Sequence, residues 1–506
     1  GSYGTVSLNA LGGLPPTVAR GLRAVRGLAI VQASGAWLHR GRSENRTLME
    51  EMIGRAVVEA DSPLRTAAAR NLRENMAAML AAAKAAGIPA VVCTAASNES
   101  GLAPLGQDAA GNLTAAERAQ LADLLNRAET GSSTQALAAA QAAVDLAPQH
   151  ALAHYRLGRA WQAQGARTEA RRALLAARDL DTMPWRPTTA TEQALRDAAT
   201  DAGAILCDVA ETFRAESPEG ATGWSLMDDH VHLSLQGQAR AAMAMVAAMG
   251  SLPPPLQVKP AAVAGLPDWS RYAERLGAND YDAYRVNHTL RVLFRLPFMQ
   301  RNNAATLARY EAACQAAERR MSPAVLRESR RWQTMTPHAG GLRPLLGMVA
   351  RTLLAEGHPE QALPLYERAR QQVPDYTSWY LEYLYFALAC REKVQGTLSE
   401  ADRSEAARAI AQGLFLLGHG DSATGLTERY VGRLHQLRAE WADAIPYLLA
   451  ARTKLAAEDR VACDQALVLS YKETGQMLQA QALVEEGIRS SGRFAGIYQS
   501  LKKDLK

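Results

Sequence analysis

The sequence predicts two fold classes in one chain, an α/β unit and an all-α solenoid. Two helix–strand pairs, over 62–95 and 191–209, predict the α/β unit. The stretch between them, about 110 residues long, is too long for a loop. A repeat of about 34 residues recurs there and again near the C-terminus, which predicts stacked helical hairpins.

The first helix–strand pair begins at Ser62-Pro63. Serine is a good N-cap and proline suits the first turn of a helix. Apolar residues then recur at helical spacing as far as Gly87, which is a typical residue after a helix C-terminus. The segment 88–95, IPAVVCTA, is short, apolar and rich in β-branched residues, so it is predicted to be a buried strand.

The second pair consists of a helix near 191–202 and the strand 204–209, AILCDV. We expect the two strands to be parallel neighbours in one sheet. Polar residues follow each strand, Asn98 after the first and Asp208 at the end of the second. The carboxyl ends of parallel strands border the functional crevice of open sheets. We expect Asp208 to have a structural role there.

The segment between the strands, 114–182, is predicted to be a helical insert excluded from the sheet. Small and large residues alternate in it at fixed phases, so that two helices can approach closely. The positions concerned are Leu157, Gly158, Trp161, Gly165, Ala170, Leu174 and Ala177. Their spacing resembles the tetratricopeptide repeat (TPR), a helical hairpin.

The C-terminal half begins after Gly250 with a proline-rich stretch, SLPPPLQVKP, and 251–340 is predicted to be a linker with connecting helices. The TPR-like pattern returns over 341–506, where it predicts an α-solenoid. The positions that fit the repeat pattern most clearly are Gly357, Ala362, Tyr366, Ala369 and Pro374. Solenoids present extended concave surfaces, so a protein partner is predicted for the repeats. Their aromatic residues are expected to pack between helices.

A short stretch after the second strand, LMDDHVHLSLQG at 226–237, concentrates carboxylates and imidazoles. Asp229 precedes His232 by three residues, so one loop can present both side chains to a nucleophilic serine. Two alternatives stay open. The stretch could be an idle loop, or Asp229, His230 and His232 could bind zinc, although no distant third ligand stands out. Asp228 is expected to be a solvated or capping carboxylate.

The block Asp229-His-Val-His-Leu-Ser234, with Gly237, resembles the last sequence block of SGNH (GDSL-type) hydrolases. In that family the Asp and His of this block complete the catalytic triad. The resemblance implies that 1–113 and 183–250 are two parts of one SGNH-like domain, interrupted by the insert. The whole layout is similar to a bacterial group that fuses such a domain to TPRs. The implied activity is acyl-ester hydrolysis or O-acyl transfer, with carbohydrate esters among the substrates.

Two expected family blocks have no counterpart. The nucleophile turn is missing, since Ser2 has no preceding strand and Ser34 lacks the surrounding block. The usual oxyanion block is missing as well, although Asn98 could donate to an oxyanion or simply be a turn residue. We expect the chain to start downstream of both blocks and to be inactive alone. An N-terminal segment or a second chain would complete it. The alternative is a non-catalytic TPR scaffold carrying a degenerate hydrolase domain.

Composition narrows the remaining function classes. The net charge of +5 comes without a dense Lys/Arg run, which argues against nucleic acid as a partner. The five cysteines form no CxxC motif and are expected to be reduced, and no cofactor or metal is predicted. No apolar run reaches the ~18 residues of a spanning helix. An upstream signal or anchor would imply a periplasmic or membrane-associated bacterial protein, and otherwise a cytoplasmic location is expected.

Overall fold

A computed structural model describes residues 57–106, 113–334, 344–420 and 424–505. The chain divides into two compact units. The first comprises the described parts of Gly1–Ala273 and Asn287–Ala312, and the second those of Glu274–Val286 and Ala313–Lys506. The residues predicted as a connector, 251–340, are thus shared between the two units.

The sheet of the first unit consists, in the described residues, of two parallel strands, β1 (Val91–Cys93) and β2 (Ile205–Cys207). Val92 lies opposite Leu206 in the register. The predicted parallel pairing is therefore confirmed, but each strand has three residues and is shorter than the apolar run that predicted it. The rest of each run is irregular backbone on either side of the paired residues, except Val209, which begins the next helix.

Helices cover both faces of this small sheet. On one face Val92 packs with Leu80, Leu195 and the alanines of the helix that precedes β2. On the other face Cys207 packs with Phe213, with residues of the segment 226–234 and with the helix after it. Adjacent residues of a strand point to opposite faces of the sheet. Each short strand can therefore contribute side chains to the apolar clusters on both faces. Leu206 of β2 nevertheless stays 37% exposed, whereas the strands of parallel sheets are normally buried on both faces.

The helices of the first unit up to residue 248 agree with the predicted helix–strand pairs and helical insert. They are α1 (Pro63–Ala85), α2 (Ala115–Thr130), α3 (Ser133–Leu146), α4 (Ala151–Ala163), α5 (Arg167–Leu180), α6 (Thr189–Ala202), α7 (Val209–Glu216) and α8 (Leu235–Ala248). Helices α2 to α5 form the insert, each packing on the next and none entering the sheet. At Gly158 an added Cβ would lie 2.5 Å from Leu174 Cγ, so the small residue allows α4 and α5 to approach closely.

A short 3₁₀ turn (Met249–Ser251) and helices that connect to the repeats follow. These helices are α9 (Pro260–Ala264), α10 (Trp269–Arg275), α11 (Asp280–Phe294), α12 (Pro297–Gln300), α13 (Ala304–Glu318) and α14 (Pro323–Gln333). Among the described residues, every helix is too short or too polar to cross a bilayer.

Helices of the second unit stack in chain order, as a solenoid does. They are α15 (Leu345–Ala355), α16 (Pro359–Gln371), α17 (Ser378–Gln395), α18 (Glu400–Gly418), α19 (Leu426–Leu437), α20 (Trp441–Arg452), α21 (Ala457–Glu473), α22 (Met477–Ser490) and, after a 3₁₀ turn (Gly492–Phe494), α23 (Ala495–Asp504). Tyr366 is fully buried and stacks at 5.1 Å on Phe386, which confirms the expected packing role of these aromatics. The all-α part of the predicted fold is thus solenoid-like.

The turns within the hairpins share one backbone conformation. Two residues after α4, α15 and α21, Gly165, Gly357 and Gly475 adopt positive φ angles of 73°, 86° and 73°. Ala439 has the same place after α19, with a φ of 61°. A Cβ is strained in this left-handed region, whereas glycine is not.

Ala439→Gly should therefore stabilise the repeats by about 0.5–1 kcal/mol, since relief of strain exceeds the added entropy of the unfolded chain. The measurement is the urea midpoint of unfolding followed by circular dichroism. Gly357→Ala is the reciprocal control. Its added Cβ would have no atom within 4 Å, so the φ strain remains as the effect of the substitution and should destabilise the repeats. A lower midpoint for Ala439→Gly would contradict this explanation of the turn.

Candidate active site

The DxxH loop, defined here as 226–234, leads into α8 and closes on itself. The Asp228 amide donates to the His232 carbonyl at 2.8 Å, and the Ser234 amide donates to the Leu226 carbonyl at 3.0 Å. Ser234 also caps α8 by accepting from the Gly237 amide. An added Cβ at Gly237 would lie 2.1 Å from the Leu226 oxygen. The Ser and Gly of the motif are therefore structural residues that fix the loop against its helix.

Within this loop Asp229 holds the imidazole of His232. One carboxylate oxygen accepts from the amides of Val231 and His232, at 2.8 and 2.7 Å. The other lies 2.6 Å from His232 Nδ1. The Asp229 side chain is 5% exposed and that of His232 is 75% exposed. The carboxylate is thus buried and fixed, while the ring edge that bears Nε2 is directed away from it.

Electrostatics favour an ionised Asp229. Burial alone would raise the pKa of this carboxyl, but the charge interaction with His230 and the hydrogen bonds from His232 and Val231 outweigh it and lower the pKa. A carboxylate that accepts Nδ1–H selects the imidazole tautomer with an open Nε2 lone pair. That tautomer can accept a proton.

His230 has a different environment from His232. Its side chain is 8% exposed, its Nδ1 lies 3.4 Å from Asp229, and its ring is 5.6 Å from that of Trp185. Burial lowers the pKa of His230 below its usual value. Two imidazoles in one motif therefore have separate environments, one exposed and one in the interior.

The zinc alternative gains no support from this geometry. Across the described residues, the group whose ligand atoms are close enough for a metal is His435, Glu440 and Asp443, in the second unit. Glu440 there also accepts from Arg438 at 2.7 Å, which places a competing positive charge on it.

Asn98 lies directly against the DxxH loop. Its amide N–H donates to the His230 carbonyl at 3.0 Å, and its side-chain oxygen accepts from Gly101 at 2.9 Å. The residue is fully buried, and its Nδ2 has no hydrogen-bond partner among the described residues. An unpaired buried donor is costly, so it is a rare feature that calls for an explanation. Asn98 is thus a turn residue whose buried side-chain amide keeps an unpaired N–H donor.

The loop that carries Asn98 is clamped by the end of the insert. Arg186 donates to the carbonyls of Asn98 and Leu102, both at 2.9 Å, and pairs with Asp181 at 3.1 Å. Asp181 also accepts from the amides of Leu105 and Gly106. The turn after α5 therefore sets the position of Asn98.

Beside this clamp lies a buried ionic cluster of Glu99, Arg178, Glu192 and Arg214. All four side chains are at most 3% exposed. Arg178 contacts both glutamates, at 2.9 and 2.6 Å, and so does Arg214. Sequence reasoning missed this cluster because its members lie on separate elements, and Glu99 is 115 residues from Arg214. The adjacency of Glu99 to Asn98 was the one available signal.

Two further acidic residues have structural contacts. Asp208 caps α7 through the Glu211 amide, accepts from Thr94 at 2.8 Å and pairs with Arg196 at 2.7 Å. This confirms its predicted structural role. Asp228 is half-buried, and burial followed by the nearby Asp229 charge raises its pKa.

The nucleophile candidates of the sequence, Ser2 and Ser34, lie outside the described residues. Within the described residues, the side-chain partner of the His232 ring is Asp229. No protein-family model matches the chain, and no curated protein sequence matches it either.

Proposed function

We propose that the α/β unit works as an SGNH-like acyl-ester hydrolase or acyltransferase once a nucleophile is supplied, and that the TPR-like repeats bind a protein partner. The observation that carries the enzymatic part is the contact between Asp229 and His232. A buried carboxylate at 2.6 Å from Nδ1 of an exposed imidazole is the arrangement that allows the ring to act as a general base toward a hydroxyl.

The proposed reaction proceeds in two acyl transfers. His232 Nε2 takes the proton of the supplied serine as its oxygen attacks the ester carbonyl, and Asp229 stabilises the imidazolium. Asn98 Nδ2 donates to the oxyanion of the tetrahedral intermediate. The imidazolium then protonates the leaving alcohol. Water or a carbohydrate hydroxyl, deprotonated by the same ring, then attacks the acyl-enzyme, and the imidazolium returns the proton to the departing serine oxygen.

The small sheet supports the idea that more polypeptide completes this unit. Leu206, in the middle of β2, is 37% exposed, and Ile88, just before β1, is 60% exposed. Strands of parallel sheets are normally buried on both faces. The source we propose is a segment upstream of this sequence or a second chain, which would also bring the serine.

The repeats carry a surface that suits a protein partner. Tyr376 and Phe415 are 56% and 51% exposed, and their rings meet edge to face at 5.3 Å. Leu414 beside them is 43% exposed. Exposed apolar groups that cluster in this way are typical of interaction sites.

The test is hydrolysis of p-nitrophenyl acetate by this chain alone and after addition of the upstream coding segment, in cis or as a second polypeptide. We expect the chain alone to match its own His232→Ala variant at the background rate. The completed protein should gain turnover. If several acyl esters give no turnover with the completed protein, the non-catalytic scaffold is the correct function.

A further inference from the structure

An arginine at the rim of the DxxH loop is held in place by two aromatic rings. Arg309 Cζ lies 4.6 Å from the ring centroid of Trp224 and 4.8 Å from that of Tyr310. Arg309 is exposed, Trp224 is half-buried and Tyr310 is buried. Because guanidinium groups stack well on aromatic faces, the two rings fix the position of this side chain. We call these three residues the Arg309 cluster.

Three successive hydrogen bonds connect the Arg309 cluster to the candidate base. Arg309 donates to the Tyr310 hydroxyl at 3.1 Å, and that hydroxyl donates to the Asp228 carbonyl at 2.7 Å. The Asp228 amide in turn donates to the His232 carbonyl at 2.8 Å. The guanidinium therefore lies at the edge of the same loop that presents the imidazole.

Arg309 differs from the neighbouring arginines in forming no close ion pair among the described residues, although its charge acts on the nearby Asp228 and opposes the rise that burial causes in the pKa of that carboxyl. Arg178, Arg186 and Arg214 each form ion pairs with buried carboxylates. Within the described part of the chain, the side-chain hydrogen-bond partner of Arg309 is the Tyr310 hydroxyl, and no carboxylate lies within ion-pair distance. A guanidinium has five N–H donors in a planar fork that matches carboxylate and phosphate. Most of these donors are available at the surface.

We infer that Arg309 binds an oxyanion group, a carboxylate or a phosphate, of the molecule that His232 acts on. The anion site stands on the geometry of the cluster, whereas its role as a substrate anchor rests on the proposed function. An anionic group held beside the loop would fix the position of a charged sugar or acyl donor relative to His232 Nε2. Neutral esters would lack this contact.

The test uses the full chain and the indole N–H signal of Trp224, assigned in ¹H–¹⁵N spectra by its loss in Trp224→Phe. Inorganic phosphate, D-glucuronate and D-glucose are titrated separately. We expect the Trp224 signal to shift with at least one of the two anions and not with glucose. The anion that shifts the signal identifies phosphate or carboxylate as the preferred group. Arg309→Gln should weaken this binding about tenfold or more, and Arg309→Lys should weaken it less.

Arg301→Gln is the matched control, because Arg301 is exposed and lies in the same unit. It should bind like the unmodified chain. The inference is overturned if neither anion shifts the signal, if Arg309→Gln binds as well as the unmodified chain, or if Arg301→Gln loses as much affinity. Binding needs no turnover, so an anion site in a protein that hydrolyses no ester would contradict the proposed function alone.

Discussion

Asp229→Asn in the completed protein should lower kcat for p-nitrophenyl acetate by about 10⁴-fold with little change in KM. The Asn side chain has nearly the same shape as Asp and would fit the loop. It would, however, favour the imidazole tautomer without a proton on Nδ1, and it would not stabilise the imidazolium. His232→Ala should reduce kcat at least as much, because the proton acceptor itself is lost. Both changes act on the chemical step and not on ground-state binding.

Asp197→Asn is a suitable control for the loss of a carboxylate. Asp197 lies on α6, and its side chain is 37% exposed and pairs with an exposed Arg73. Exposed pairs of this kind are worth little. The kcat of Asp197→Asn should equal that of the unmodified protein. If Asp229→Asn were as active as Asp197→Asn, the dyad would have no catalytic role.

Glu192→Ala should destabilise the first unit by about 3–5 kcal/mol. The change leaves Arg178 and Arg214 buried with one glutamate, Glu99, between them. Removing one partner of a buried ionic group leaves an uncompensated charge, and this cost exceeds the net value of the intact pair. Thermal unfolding followed by circular dichroism measures the effect.

Glu211→Ala provides the comparison for this cluster. Glu211 is 43% exposed and contacts Arg171 and, at 3.7 Å, Arg214. It should change stability by less than about 1 kcal/mol. A Glu192→Ala protein that unfolds at the same temperature as Glu211→Ala would show that water or a counter-ion reaches the cluster.

Local sequence signals predicted the first helix and its ends. Ser62-Pro63 begins α1, and Gly87 follows its last turn with a φ of 68°. These signals work because caps and turns depend on a few neighbouring residues. The DxxH contact was predictable for the same reason, since its donor and acceptor lie within one turn of the loop.

Strand length and the surroundings of the site were not predictable in this way. The apolar run at 88–95 indicated a strand, but pairing stops at Cys93, where the chain turns toward Asn98. Strand ends depend on the partner strand, which is distant in sequence. The unpaired Nδ2 of Asn98 and the Arg309 cluster arise in the same way, from contacts between distant segments. Residue type alone does not reveal them.

We propose that the Asp229–His232 pair activates a serine supplied by an upstream segment or a second chain. Labelling with a fluorophosphonate, which modifies activated serines, followed by mass spectrometry tests it directly. We expect no label on this chain alone, and one labelled serine in the completed protein, located on the added segment and dependent on His232. A labelled serine anywhere in this sequence, or labelling that persists in His232→Ala, would contradict this expectation.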